Sequence, residues 1–363
     1  MIILLSASGY WMSANESDSD SVSIVARVNN EGSGIFVRDS VQGVLYDEST
    51  QTYNAEYWDG LTFMTPGASS IQHMILMNIV KNELHFAFVQ VGSEYSGSGV
   101  VYWTAVSPGT MVDTLLKNSW IDGGIAWEPH YASAISNSQI KGVMLTSEYW
   151  AGHPCCVVAA NNTFIDNNYA STMRFLSAYC EAVEWLNEAK DVNSENHALL
   201  IQYVQKYTTV SDQAVIEMAL DDVSYSYEIT DLKDQIVELT KTYESLDLFS
   251  NTLQDIGYAD EAAFADALVN DKLISSAENR VPGSYASLNN VTIRVAYLAS
   301  DIHQIALHIG IEQGFFDEFG ITVEKVGPFA AGGDVMTAIL LGQADMGFVG
   351  SPPVVLYSVN MAK

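Results

Sequence analysis

Residues Thr292 to Lys363 read TIRVAYLASDIHQIALHIGIEQGFFDEFGITVEKVGPFAAGGDVMTAILLGQADMGFVGSPPVVLYSVNMAK. TIRVAYL alternates as a strand does, and apolar residues then recur at helical spacing through HQIALHIGIEQGFF, with Ser300 or Asp301 as its N-cap. Gly320 ends this unit, and ITVEKV is a second strand. GPFAAGG makes a turn into a second helix, DVMTAILLGQ, whose leading Asp334 suits the positive end of the helix dipole. ADMGFVG is a third strand that runs into Gly350-Ser351-Pro352-Pro353. The order β-α-β-α-β predicts parallel strands joined by right-handed crossovers, hence an α/β fold.

Working outward, the segments that would continue such a unit stand at the start of the chain. SVSIVARVNNEGSGIFVR, from Ser21, supplies two more strands, the second flanked by glycine. DGLTFMTPGASSIQHMILMNIV reads as strand, turn and helix, and SWIDGGIAWEPHYASAI as another strand leading into a helix. KGVMLTSEYWAGHPCCVVAA is a return passage. Beyond it, amphipathic helices are predicted over 169–189, 194–207, 231–257 and 260–268. Residues 275–291 are rich in Ser, Asn, Pro and Gly and predict a linker.

Taken together, GQADMGFVGSPP, TPGASSIQH and IAWEPH resemble the solute-binding proteins that serve nitrate, sulfonate, taurine, bicarbonate and thiamine-precursor ABC importers. In that family the passage now at the end of the chain normally comes first. The resemblance therefore implies a periplasmic binding protein type II fold, a two-lobed Venus flytrap, in circularly permuted or tandem-fragment order. It implies a leader or linker over 1–20 and a discontinuous first lobe of 21–38, 150–274 and 292–363. A second lobe spans 39–149, and the crossing strands fall near Gly34–Arg38 and Pro154–Ala159. Such a protein captures a small molecule outside the cytoplasm, in the periplasm or at the outer surface. It delivers that molecule to an ABC permease and its ATPase without catalysis, and it meets the membrane only through an anchor or the transporter.

In open α/β sheets ligands gather beyond the carboxyl ends of strands, at helix N-termini. Four loops fit that position: Ser300-Asp301 with His303, Gly332-Gly333, Gly350-Ser351, and the run Thr65, Gly67, Ser69, Ser70 with Gln72. Each alone is an ordinary turn, and their shared order carries the resemblance. Trp127 would stack on a flat ligand and Glu128 accept from an amine; equally, Trp127 packs in a core and Glu128 caps the next helix. Ser33, near a crossing strand, is a further candidate.

The chain has 363 residues, 48% of them hydrophobic, enough to bury a large core in two lobes. Its 15 Lys and Arg against 44 Asp and Glu leave a net charge of -29. That balance disfavours nucleic acid and anionic membrane as partners, since both need basic patches. Cys155, Cys156 and Cys180 form no disulfide framework, and with no zinc-ligand spacing beside them they read as small buried hydrophobes. No metal and no cofactor is expected.

With no Lys or Arg in the candidate loops, an anion would be held by backbone N–H groups, hydroxyls and helix dipoles. The carboxylates of Asp301 and Glu128 would repel a simple anion and favour a zwitterion such as an aminosulfonate. The alternatives are an aminopyrimidine thiamine precursor or service as the sensing module of a receptor. An enzyme like the pyrimidine-synthesising relatives is disfavoured, because they use a Cys-rich motif and a pyridoxal-bearing Lys.

Overall fold

A computed structural model describes residues 3–5, 11–13, 21–277 and 290–361. The acidic stretch Asn15–Asp20 and most of the predicted linker lie outside the described residues. The principal strands are β1 (Val22–Arg27), β2 (Ser33–Arg38), β3 (Thr62–Thr65), β4 (Ala87–Gln90), β5 (Val100–Ala105), β6 (Gly123–Trp127), β7 (Ile140–Leu145), β8 (Cys156–Asn161), β9 (Val291–Leu298), β10 (Ile321–Phe329) and β11 (Met346–Gly350). The principal helices are α1 (Ile71–Asn78), α2 (Pro108–Lys117), α3 (His130–Ile135), α4 (Tyr169–Ala189), α5 (His197–Thr208), α6 (Gln213–Asp221), α7 (Leu232–Ser245), α8 (Glu261–Leu268), α9 (Asp271–Ala277), α10 (Ile305–Glu312), α11 (Gly332–Leu340) and α12 (Ser351–Asn360).

The chain divides into two compact units. Unit 1 comprises 1–30, 154–209 and 224–363, and unit 2 comprises 31–153 and 210–223. The core of unit 1 is a mixed sheet of order β10-β9-β11-β8-β1. As TIRVAYL and ITVEKV predict, β9 is parallel to both β10 and β11. β8 runs antiparallel to β11 on one side and β1 on the other, with Cys156 opposite Gly350. Every residue of β1 is buried, as are the first five of β8. Such continuous apolar runs, without alternation, mark strands covered on both faces. α4 is the long helix expected over 169–189 and buries Met173, Phe175, Leu176 and Tyr179.

Unit 2 holds a six-stranded mixed sheet of order β7-β2-β6-β3-β5-β4. β3, β5, β6 and β4 are linked by parallel pairings, and β2 is antiparallel to both β6 and β7. Its core gathers Phe36, Met64, Met111, Leu115, Ile121 and Ala126. Each unit thus has one strand, β8 or β2, running against its neighbours. Both follow directly on a passage of the chain from one unit to the other, at 30/31 and 153/154.

Several boundaries differ from those expected. Residues 33–38 belong to unit 2 rather than to the first lobe, because β2 pairs with β6 and β7. Gly34–Arg38 and Cys156–Ala159 are therefore strand residues within single sheets, with Pro154 and Cys155 leading into the second, just past the connections. Residues 150–153 and 210–223 also belong to unit 2, and α6 contributes there. The helix expected over 231–257 stops at Ser245, because Asp247 takes a left-handed φ of 59° that the helix cannot continue through. The segment expected to be linker from 275 is still helical to Ala277 in α9.

Candidate functional site

Three loops meet at one end of the unit 1 sheet: those following β9 and β11, and the entry to β8. The loop after β9 begins with Ser300 at a φ of 52° and turns into the short helix Ile302–Gln304. Asp301 caps that helix, accepting from the His303 backbone N–H at 3.0 Å. Its other oxygen accepts from Gln304 Nε2 at 3.2 Å. Gln304, fully buried, also donates to the Phe348 carbonyl at 3.1 Å and accepts from Leu298 N–H at 2.9 Å, so it sews the loop to β9 and β11. Sequence reading passed over Gln304, although an amide three residues after a capping Asp was a visible signal.

His303 Nδ1 lies 3.1 Å from Asp301 Oδ1 and 3.8 Å from Cys155 Sγ. Cys155 and Cys156 bring their sulfurs within 3.9 Å of each other, and both are buried free thiols. Cys155 is held below the usual thiol range, first by its hydrogen bond with Cys156 and further by His303, against the cost of burial. Cys156 moves well above that range, because Cys155 and burial both oppose its ionisation. For His303 burial alone would favour the neutral ring, but Cys155 and Asp301 outweigh it and raise the imidazole. Ser351 completes the cluster: its N–H donates to the Cys155 carbonyl at 2.7 Å and its hydroxyl to the Pro154 carbonyl at 3.3 Å.

The glycines of the second loop serve packing. A Cβ on Gly332 would stand 2.6 Å from Pro353 Cγ, and one on Gly333 3.0 Å from Tyr357 Oη. Their bare backbones let α11 approach α12. Gly350 is the last residue of β11 and leads straight into Ser351.

Unit 2 carries a second set at the carboxyl ends of β3 and β6. Trp127, at the end of β6, stands opposite Ser33 at the start of β2. Gln72 Nε2 donates to Ser33 Oγ at 2.8 Å, and Thr146 Oγ1 donates to the Ser33 carbonyl at 3.1 Å. His153 Nε2 sits 2.9 Å from that Thr146 hydroxyl. Thr65 ends β3, with its hydroxyl 3.1 Å from His73 Nδ1. Ser70 caps α1, accepting from His73 N–H at 3.1 Å and donating to the Gly67 carbonyl at 2.8 Å. Gly67 has a φ of 136°, open only to glycine, and Ser69 is half-buried beside it.

Glu128 is fully buried and accepts from the Ala132 N–H at 3.0 Å, which is the capping role. Trp127 is 7% exposed, and its Nε1 has no hydrogen-bond partner among the described residues. A buried indole N–H without an acceptor is uncommon, and here it stands at a strand end beside Ser33.

The sequence model of the NMT1-like family matches residues 1–204. Among solved structures, the chain is similar to a ligand-binding component of an ABC-type import system from Staphylococcus aureus, crystallised with zinc bound. The identity is 16%, over 72% of this chain and 76% of that one, with a TM-score of 0.51. It is also similar to the periplasmic nitrate-binding protein NrtA from Synechocystis PCC 6803, at 15% identity over 70% of this chain and 66% of that one, with a TM-score of 0.53. At these identities the likeness is one of fold, an α/β periplasmic binding protein type II-like fold with two mixed sheets. No curated protein matches the chain.

Proposed function

The chain belongs to the NMT1-like family, and from that premise we propose that it is a solute-binding protein of an ABC import system. It works outside the cytoplasm, captures a small organic anion or zwitterion of the sulfonate, taurine or nitrate type, and passes it to a permease and its ATPase. No helix among the described residues is long and apolar enough to cross a membrane.

The observation that carries this reading is the Trp127 indole N–H, buried at a strand end with no acceptor. An oxyanion is the complement of such a donor. The internal contacts of the carboxylates shift the ligand class. Asp301 is taken up by His303 and Gln304, and Glu128 caps α3. Asp301 is therefore committed within the protein, whereas Glu128 gives one oxygen to α3, so both simple anions and zwitterions stay within the proposed ligand class.

The reading is non-catalytic. Cys155 and Asp301 both approach the same nitrogen of His303. A nucleophile relay instead places nucleophile and carboxylate on opposite ring nitrogens.

Isothermal titration with nitrate, alkylsulfonates, taurine and an aminopyrimidine tests the proposal. Binding of one of the anionic or zwitterionic solutes is expected. Trp127→Phe, which keeps the ring bulk and removes the donor, should weaken it roughly 10- to 100-fold, since a hydrogen bond to a charged group contributes about 1.5–3 kcal/mol. Binding of the aminopyrimidine alone, or unchanged affinity in Trp127→Phe, overturns the anion reading.

We read the segment order as a permutation of the family's usual order. On this reading β11 pairs with β8 of the same molecule. A monomer by light scattering is the expected result, and a strand-exchanged dimer would reverse the reading.

A further inference from the structure

Two adjacent cysteines in a β-strand ordinarily point to opposite faces. Here they do not, because Cys155 precedes β8 and only Cys156 belongs to it. Their sulfurs stand 3.9 Å apart, and His303, 148 positions away, places Nδ1 3.8 Å from Cys155 Sγ. The three donor atoms all lie within 4.8 Å of one another, and the residues are 2%, 3% and 1% exposed. Thiols that merely fill a core have no reason to converge on an imidazole nitrogen.

The spacing fits a coordination shell. Zinc–sulfur bonds of about 2.3 Å and zinc–nitrogen bonds of about 2.0–2.1 Å at tetrahedral angles separate two sulfurs by about 3.8 Å, and sulfur from nitrogen by about 3.5 Å. The distances of 3.9 and 3.8 Å exceed these by at most a few tenths of an ångström. A disulfide would require the sulfurs at about 2.05 Å.

We propose that Cys155, Cys156 and His303 form a binding site for a thiophilic d10 cation, with Zn²⁺ as its representative. Two thiolates and one imidazole nitrogen supply three ligands, and water takes the fourth position. Binding displaces the two thiol protons and the proton on Nδ1 to solvent, so that each donor offers a lone pair. The two thiolates balance the ion's 2+ charge. The bound ion fastens the 300–303 loop to the first residues of β8, and it does so whether or not the solute reading above is right.

Reduced full-length protein incubated with Co²⁺ should develop thiolate-to-metal charge-transfer absorption, lost on addition of one equivalent of Zn²⁺. Zn²⁺ should raise the melting temperature of the unaltered protein, and a chelator should reverse the rise. Cys155→Ser, Cys156→Ser and His303→Gln should each weaken Zn²⁺ binding on the order of 100-fold or more. Cys180→Ser, the third buried thiol, should leave it unchanged. Absence of the charge-transfer band in the unaltered protein overturns the proposal, and this readout needs no variant to fold. Equal loss in Cys180→Ser, or retained affinity in the Cys155→Ser/Cys156→Ser double variant, overturns it as well. Solute titrations run on chelator-treated and Zn²⁺-loaded protein keep the two readings separate.

Discussion

Buried imidazoles set how single residues respond to acid. His73 is 1% exposed, packed against Phe88 and Trp103 at ring distances of 5.3 and 4.4 Å. Burial lowers it to about 4 from its ordinary 6.5. The unfolded chain therefore binds a proton that the folded one refuses between pH 6.5 and 4. Stability is intact above 6.5 and falls through that window, by about 3 kcal/mol from this residue. His308, lowered to about 3 by burial and then by Lys325, adds to the same trend. Urea denaturation at pH 7 and pH 4.5 is expected to show a smaller drop in His73→Asn than in the unaltered protein. An equal drop would mean that the ring is protonated in the fold. Little of this was legible in the sequence: TPGASSIQH marks a loop and a helix start, but nothing in it says that His73 enters between two aromatic rings. For the same reason Cys155 and His303, far apart in the chain, read as unrelated.

At the scale of elements the sequence was a better guide. Asp260 is the N-cap of α8, its carboxylate accepting from Ala263 N–H at 2.8 Å. Asp260→Ala should lower stability by about 1 kcal/mol, read as a shift in the urea midpoint with unchanged slope. α11 and α12 meet through Gly332, where an added methyl would press on Pro353. Gly332→Ala is expected to cost about 1–3 kcal/mol, as overpacking of a close contact does. Gly333→Ala, whose nearest neighbour is the more adjustable Tyr357, should cost less, and the reverse ranking would contradict this packing. Periodicity located α4, α8 and the parallel strands β9–β11 because each satisfies its own pattern locally. It overran α7, since the left-handed turn at Asp247 leaves no glycine to announce it. It also placed β2 with the wrong partners, because pairing is decided by strands more than 80 residues away.

Charge governs the molecule as a whole. With a net charge of -29, most acidic residues lack a basic partner, and self-repulsion works against compaction. Raising salt shortens the screening length from about 10 Å at 0.1 M to about 3 Å at 1 M. The urea midpoint should therefore rise between these conditions; a fall would mean that ion pairs such as Arg294–Asp345, at 2.5 Å, dominate. The few basic residues are placed accordingly. Arg27, only 2% exposed, joins β1 to α7 through Asp231 and Gln235 and donates to the Glu228 carbonyl at 2.7 Å. Arg27→Ala should destabilise by about 1–3 kcal/mol, the cost of losing its buried hydrogen bonds, since Asp231 is 64% exposed and stays hydrated without its partner, measured by urea titration. Composition foretold the charge excess, but not that two arginines, Arg27 and Arg174, would be spent inside.

The place of β8 in its sheet also orders events at the ribosome. β8 leaves the exit tunnel about 190 residues before β11, the neighbour it must pair with. Translation at about 5–20 residues per second leaves that edge unpaired for roughly 10–40 seconds. Meanwhile β2, β6 and β7 have already emerged together and can finish their own sheet. The growing polypeptide thus presents one nearly completed body and one exposed apolar ribbon, and a holding chaperone would find its substrate in that interval.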